Sequence, residues 1–518
     1  MIDAVREAQW DVIVIGTGMG GGLAGRRLAE AGMRVLFVEK GPAGPRGERG
    51  RLDPGVFEPA ARLARGFWPA PMEATLDGRR AEFFAPVGAG LGGSSVFYAA
   101  TLERPERHDL EDADGRPHPT GGWPVGYDAF RPWFEEAERW LAICGEPDPL
   151  SPETEGTLRA PPPPDPGDAA LMDAFRAAGL HPYRSHSAIA HVEGCLGCLG
   201  SKCPKRCKMD GRSAGVEPAI ATGRAALLDR CEVTALQGGQ DRISHLSVRR
   251  DGESFTLSAP RILLAAGALG SPRLLLASAS EGWPEGCANQ SGLVGRNLMF
   301  HLNEMMALWP GRAARFEGPS KSISLRDLYH VGGDRFGTVQ AMGVDVGYGE
   351  IVHFLRGMME RSALRRLKPF APLPAAAAER VFGEAKVFVG LLEDLPYPEN
   401  RVLPPEGDDR IRVEYRYAPE LLERRRRFRR AMKRAFRAHR TWFLNPGPEL
   451  NFGHPSGTLA FGHDPRRSVL RPDCRAHGVT NLWVADASFM PTSMGVNPSL
   501  TIAANALRVA DAILEDTR

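Results

Sequence analysis

The 518-residue sequence contains no run of eighteen apolar residues, and Met1 to Trp10 mixes acids and bases with no apolar h-region. Neither a membrane span nor a secretory leader is expected, and the chain reads as soluble and cytoplasmic. Charge of one sign is also missing, since 65 Lys and Arg stand against 63 Asp and Glu, a formal charge of +2. No global field favours an anionic surface, so nucleic acid is not an expected partner. Cysteine is scarce, at eight residues, which excludes a disulfide scaffold in a chain of this length. No internal repeat is present. With 43% apolar and 25% charged residues, the composition excludes disorder and collagen. What is abundant is glycine, 59 residues, and proline, 43. The length exceeds what one core usually holds and predicts two domains, or a large nucleotide-binding domain with a substrate domain interleaved.

The first element reads as a βαβ unit. Asp11 to Ile15 is a short buried strand, Gly16 to Gly22 a glycine-rich turn, Leu23 to Ala31 a small-residue helix, and Met33 to Val38 a second strand ending at Glu39. Gly16-Thr17-Gly18-Met19-Gly20-Gly21 has the G-x-G-x-x-G spacing in the required context. Gly16 permits the tight turn, Gly18 lets backbone approach a pyrophosphate, and Gly21 lets helix and strand pack closely. The helix N-terminus offers free N–H groups to phosphates, and Glu39 can accept hydrogen bonds from a ribose. This motif alone does not separate FAD from NAD.

Further along, Tyr127 to Cys144 has an amphipathic helical pattern and runs into a proline-rich loop holding Pro161 to Pro164. Strand patterns follow at Ile243 to Val248, Ser254 to Leu257 and Ile262 to Ala266, with a helix beginning near Pro272. Residues 300 to 450 show no clean period. Leu482 to Ala485 reads as a buried strand, and a helix ends near Leu514.

Gly88-Ala89-Gly90-Leu91-Gly92-Gly93-Ser94-Ser95 resembles the first signature of the glucose-methanol-choline (GMC) flavoprotein oxidoreductases, and Gly267-Ala268-Leu269-Gly270-Ser271-Pro272 the second. Gly295-Arg296-Asn297-Leu298, Asp486-Ala487-Ser488 and Asn497-Pro498-Ser499-Leu500-Thr501 match the same pattern in order, so the resemblance spans nearly the whole chain. It implies an α/β fold: an FAD-binding Rossmann-type domain from residues 1–145, 215–300 and 465–518, a cysteine-rich excursion over 146–214, and an interleaved sheet-based substrate domain over 301–464. FAD is the implied cofactor, approached by Gly92, Gly93, Ser94, Val233, Asp486 and Pro498 beside the first turn. No His lies between Ser94 and Tyr98, so the FAD is expected to be non-covalent. Many members have Asn where this chain has Tyr98, and that contact is not carried over.

The same resemblance implies a catalytic pair, His454 in Gly453-His454-Pro455 and Asn497 in Val496-Asn497-Pro498. Oxidising an alcohol by hydride transfer requires the hydroxyl proton to leave, and a base that titrates near neutrality can take it. Asn497 can hold the same oxygen by hydrogen bonding without titrating. His301 and His463 are assigned to capping, packing or surface roles.

Cys195-x-x-Cys198-x-x-x-x-Cys203-x-x-x-Cys207 gathers four thiols in a glycine-rich loop. Thiolates suit iron-sulfur or zinc, and part of the spacing resembles the loop of bacterial sugar dehydrogenases of this family that carry an iron-sulfur cluster. Structural zinc, and disulfides or free thiols, are the alternatives. Cys144, Cys231, Cys287 and Cys474 read as packing residues. In the basic segment Arg424 to Arg440, Phe428, Met432 and Phe436 recur every four residues, the pattern of an amphipathic helix exposing arginines. A docking face for an acidic electron acceptor is the alternative there.

The function expected is FAD-dependent oxidation of a small-molecule alcohol, a sugar, an aminoglycoside or a polyol first, and a sterol or long-chain alcohol second. An electron-acceptor protein or dye-like acceptor would take the electrons. A hydroxynitrile-type lyase, or an electron relay without substrate, are the competing classes.

Overall fold

The computed structural model describes residues 2–47, 59–113, 115–153, 157–195, 197–239, 241–310, 320–343, 352, 355, 356, 359, 363–382 and 385–517. At its centre β1 (Val12–Ile15), β2 (Val35–Val38), β3 (Ala225–Leu228), β4 (Arg261–Leu264) and β5 (Leu482–Val484) form a parallel sheet in the order β5-β4-β1-β2-β3. Every residue of β1, β2 and β5 is buried, as expected of a parallel sheet covered on both faces. The helix α1 (Met19–Glu30) follows β1 and packs so tightly that four of its glycines leave no room for a side chain. A Cβ on Gly20 would lie 1.7 Å from the Ala485 carbonyl oxygen, and one on Gly25 2.3 Å from the Phe37 ring.

The helix α2 (Tyr127–Trp140) buries Phe130, Phe134 and Ala137. It stops short of the expected Cys144 because Ala142 turns into the left-handed region, at φ +47°. The second signature differs more. Its helix runs Gly267–Ala277 and carries Pro272 inside. The carbonyl that Pro272 cannot bond, on Ala268, accepts the Thr458 hydroxyl at 2.7 Å, and the Asp486 carboxylate takes the Gly267 N–H at 2.9 Å. Two distant side chains thus support a helix whose start is not marked locally.

Residues 300 to 450 supply most of an antiparallel six-stranded sheet, ordered Arg440–Phe443, Leu302–Trp309, Lys386–Leu392, Val339–Ala341, Ile323–Leu325 and Tyr183–Arg184. A four-stranded sheet pairs Met72–Leu76 and Arg79–Phe83 with Ile411–Tyr415 and Arg401–Val402. Cys231–Gly238, Ile243–Arg250 and Glu253–Leu257 form a separate meander. The helix α3 (Pro419–Ala435) lays Leu421, Phe428 and Met432 into the core. Its arginines are largely neutralised: Arg425 pairs with the buried Glu304, Arg429 reaches it at 2.8 Å, and Arg426 meets Glu423 at 2.7 Å. The chain closes on α4 (Ser499–Glu515), which packs against α1 and α2. Among the described residues no helix is long and apolar enough to cross a membrane.

Candidate active site

A cavity of about 820 Å³ opens at the C-terminal ends of β1, β2 and β4, where a parallel sheet places ligands. Its wall comes from separated stretches, among them 15–20, 38–40, 86–101, 231–234, 265–277, 405–411, 451–455 and 486–502, with Trp68, Arg249 and Lys321. Gly16, Gly18, Glu39, Gly93, Ser94, Val233, His454, Asp486, Asn497 and Pro498 all lie on it. Gly21 and Gly92 do not. Gly21 sits behind the turn, where a Cβ would come 2.2 Å from the Gly16 carbonyl oxygen, and Gly92 is a left-handed turn residue at φ +93°.

Gly16 takes φ +96°, and a Cβ on it would meet the Ala265 carbonyl oxygen at 2.5 Å. A Cβ on Gly18 would meet nothing within 4 Å, so at this position the absent side chain leaves open cavity. That space, against backbone N–H groups at the start of α1, fits the pyrophosphate of FAD. Glu39 is more engaged than the sequence suggested. One carboxylate oxygen accepts the Thr17 hydroxyl at 2.6 Å and its N–H at 3.1 Å, and the other accepts the Gly41 N–H at 3.1 Å. Thr17 in turn accepts the Gly92 N–H at 3.1 Å. Thr17, to which the glycine motif assigns no role, therefore locks the two glycine turns together. Burial pushes the Glu39 carboxyl up from its ordinary value, against the hydrogen bonds it accepts.

Asp486 is likewise a clamp in the wall. One oxygen accepts the Ser271 hydroxyl at 2.5 Å and the Gly267 N–H, and the other accepts the Ser488 hydroxyl at 2.5 Å. Ser94 accepts the Gly88 N–H at 2.8 Å. Tyr98, the departure from the family pattern, donates its hydroxyl to the Met209 carbonyl. Pro498 stands at the N-cap of α4 and Val233 beside a bulge in its strand.

His454 and Asn497 both line this cavity. Asn497 is 5% exposed and its Oδ1 is buried without a hydrogen-bond partner, an unmet acceptor facing a ligand site. His454 meets His301, which the sequence left outside the site: the two Nδ1 atoms are 2.9 Å apart. His301 Nε2 lies 2.8 Å from the Met494 carbonyl, which only accepts, so Nε2 carries the hydrogen. Burial lowers the His301 pKa and keeps the ring neutral, which leaves its lone pair on Nδ1. The hydrogen between the rings then belongs to His454 Nδ1, and His454 Nε2 is the free base. Asn451 Nδ2 also approaches His454 Nδ1, at 3.2 Å; the shorter contact to His301 decides the proton. Burial first, then His301 and the positive charge of Lys321, hold the His454 pKa well below the usual imidazole value. The one sequence signal for His301 was its place three residues after Leu298 of the Gly295-Arg296-Asn297-Leu298 turn.

Of the expected metal ligands, Cys207 Sγ lies 3.4 Å from Cys195 and 3.3 Å from Cys203, and Cys198 adjoins Cys203. A tetrahedral zinc would hold its sulfurs about 3.8 Å apart, and an iron-sulfur core holds them wider still. Among the described residues no set of three or more His, Cys, Asp or Glu side chains has the arrangement of a metal site. The structure gives no support to the iron-sulfur cluster or zinc expected at Cys195, Cys198, Cys203 and Cys207. Instead, the buried Lys208 anchors this loop. Its ammonium donates to the carbonyls of Cys198, at 2.9 Å, and Ser201 on one side and of Val96, at 2.9 Å, and Tyr98, at 3.2 Å, on the other. Burial pushes the Cys207 thiol up to about 12. Cys144, Cys231, Cys287 and Cys474 are buried.

Two family profiles, both described as GMC oxidoreductase, match residues 11–303 and 399–506. Paromamine 6'-oxidase of Streptomyces fradiae is 28% identical over 98% of this chain and 92% of its own. 2-Methyl-1,2-propanediol dehydrogenase of Mycolicibacterium austroafricanum is 28% identical over 98% and 95%. Among solved structures, pyridoxine 4-oxidase from Mesorbium loti superposes with a TM-score of 0.62 at 22% identity, covering 97% of this chain and 99% of that one. A fungal aryl-alcohol oxidase gives 0.64 at 17%, covering 98% and 99%. With more than half of its length matched by the N-terminal profile alone, the chain belongs to the GMC oxidoreductases, a family of FAD-binding flavoproteins.

Proposed function

We propose that the protein oxidises the CH–OH group of a small-molecule alcohol to an aldehyde or ketone, with His454 as base and Asn497 as hydrogen-bond partner. The observation that carries this reading is the pair itself: a neutral imidazole with Nε2 free, and a buried Asn497 amide that no protein group among the described residues engages, both lining one cavity. In this reading residues 1–145, 215–300 and 465–518 form the FAD-binding part.

When bound, FAD supplies the two-electron acceptor for the hydride that leaves the carbinol carbon. His454 takes the hydroxyl proton on Nε2, and the Nδ1 hydrogen bond to His301 steadies the imidazolium that forms. Asn497 donates an Nδ2 hydrogen to the same oxygen, which accepts it, and fixes the carbon for transfer. Tyr98, Phe452 and Pro455 line the same cavity.

A sugar, aminoglycoside or polyol is the first substrate class, supported by relatives whose names give paromamine, a hydroxyparomomycin and fructose. Sterol and long-chain alcohols come second, supported by relatives named cholesterol oxidase. The test is the anaerobic flavin spectrum of the purified protein before and after adding sugars, aminoglycosides, sterols and simple alcohols. Bleaching by one class supports the reading and names the class. Bound FAD that none of them bleaches would move the protein to a lyase or a relay.

A further inference from the structure

The cavity wall carries several charged side chains, and nearly all are engaged. Around Trp68, Lys40 contacts Glu232 and Asp409 at 2.6 Å, Arg249 contacts Glu232 at 2.7 Å, and Arg273 donates to the Asp408 carbonyl. Glu39 and Asp486 accept the hydrogen bonds described above. Lys321 is different. It lies on the wall at the reacting end, close enough for its charge to act on His454, and makes no hydrogen bond or ion pair among the described residues.

Its neighbours explain why it faces the cavity. Lys321 precedes the strand Ile323–Leu325, and the Ser322 carbonyl accepts the Ser185 N–H at 3.1 Å, continuing the extended pairing. Ser320 and Ser322 both give their hydroxyls to the buried Asp168, which also holds the Lys386 ammonium. Side chains alternate along an extended segment, so anchoring the two serines on one face turns Lys321 to the other. The carboxylate whose field reaches it, Glu103, is fully buried and already taken by Tyr183 at 2.9 Å, Ser324 at 3.0 Å and Arg326. Burial brings the Lys321 pKa down to about 8, so the ammonium is the larger fraction at neutral pH yet is short of an acceptor.

An ammonium held without a partner on the cavity wall is complementary to an anion on the ligand. We propose that Lys321 is a specificity-determining residue, binding a carboxylate carried by the alcohol whose CH–OH group is set at His454 and Asn497. This rests on the alcohol-oxidation reading and narrows its substrate class, away from the aminoglycosides that the names of two relatives give. Hydroxy acids and sugar acids are preferred, neutral polyols bind less tightly, and ammonium-bearing sugars bind least, because their charge is repelled by Lys321.

The experiment uses the FAD-loaded protein and two matched sets: gluconate, glucitol and glucamine, then 4-(hydroxymethyl)benzoate, 1,4-benzenedimethanol and 4-(aminomethyl)benzyl alcohol. Dissociation constants come from the perturbation of the bound flavin's absorbance, a readout that needs no turnover, and flavin reduction is followed separately. In at least one set the carboxylate member should bind about tenfold or more tighter than the neutral one, with the ammonium member weakest. Lys321→Met should bring the three within about threefold, and Lys321→Arg should restore the order. A carboxylate member that binds no better than its neutral partner in either set, or no perturbation by any member, overturns the proposal. So does a Lys321→Met variant that keeps the order. Charge-ordered binding with no flavin reduction would instead sustain the Lys321 site while removing alcohol oxidation.

Discussion

His301 and His454 meet nitrogen to nitrogen across 2.9 Å, with the Met494 carbonyl fixing the far side of His301. This makes His301 a positioning residue that decides which nitrogen of His454 is basic. His301→Leu should slow flavin reduction by about tenfold or more with little change in substrate affinity. His301→Asn, which returns an acceptor, should recover most of the rate. Stopped-flow reduction of both variants checks this, and equal losses would assign His301 to packing alone.

His454→Ala should slow flavin reduction by roughly a hundredfold or more. The pH dependence has a definite sign. Because burial depresses the folded pKa, His454 stays neutral as pH falls through about 6.5, the ordinary imidazole value. The acid limb of kcat/KM should therefore lie below that pH. Lys321→Met removes one of the causes and should move the limb upward.

Gly18→Ala and Gly20→Ala separate cofactor binding from folding. A Cβ on Gly18 projects into open cavity, whereas one on Gly20 would lie 1.7 Å from the Ala485 carbonyl oxygen. Gly18→Ala should fold but lose FAD, seen as a low flavin-to-protein ratio with normal far-UV circular dichroism. Gly20→Ala should fail to accumulate as folded protein.

Tyr329 donates its hydroxyl to Asp109 at 2.5 Å and accepts the Gly495 N–H at 2.7 Å, two residues before Asn497. Tyr329→Phe leaves that N–H buried and unpaired, a cost of about 1–3 kcal/mol. A lower Tm together with a reduced kcat is expected. A lower Tm with unchanged kcat would detach this network from the Asn497 loop.

Most of the site was legible because its residues are bound to turns with fixed spacing. Gly16, Gly18, Gly93, Ser94 and Asn497 each sit where a glycine-rich or proline-flanked motif requires backbone to approach a ligand. The central sheet was legible through the uninterrupted apolar runs of β1, β2 and β4. What stayed hidden depended on partners distant in sequence. The helix Gly267–Ala277 begins before Pro272 because Asp486 and Thr458 meet its free groups. The six-stranded sheet draws two- and three-residue strands from separate segments, too short to show a period. Lys321 gives no local signal either, since its direction is set by the serines beside it and by Asp168. The cysteine spacing suggested a metal site that the sulfur positions do not reproduce.

The order of the central sheet also has a temporal meaning. β4 waits for β5, which is synthesised only after the whole 301–464 region. At about 5–20 residues per second, that delay is on the order of ten to forty seconds, during which Ile262, Leu263 and Leu264 form an apolar open edge. Until β5 and the Asp486 to Pro498 wall arrive, the nascent chain has neither a complete sheet nor a complete berth for its cofactor. This interval on the ribosome is when the chain is most exposed to pairing with a neighbour, and when a holding chaperone would matter most.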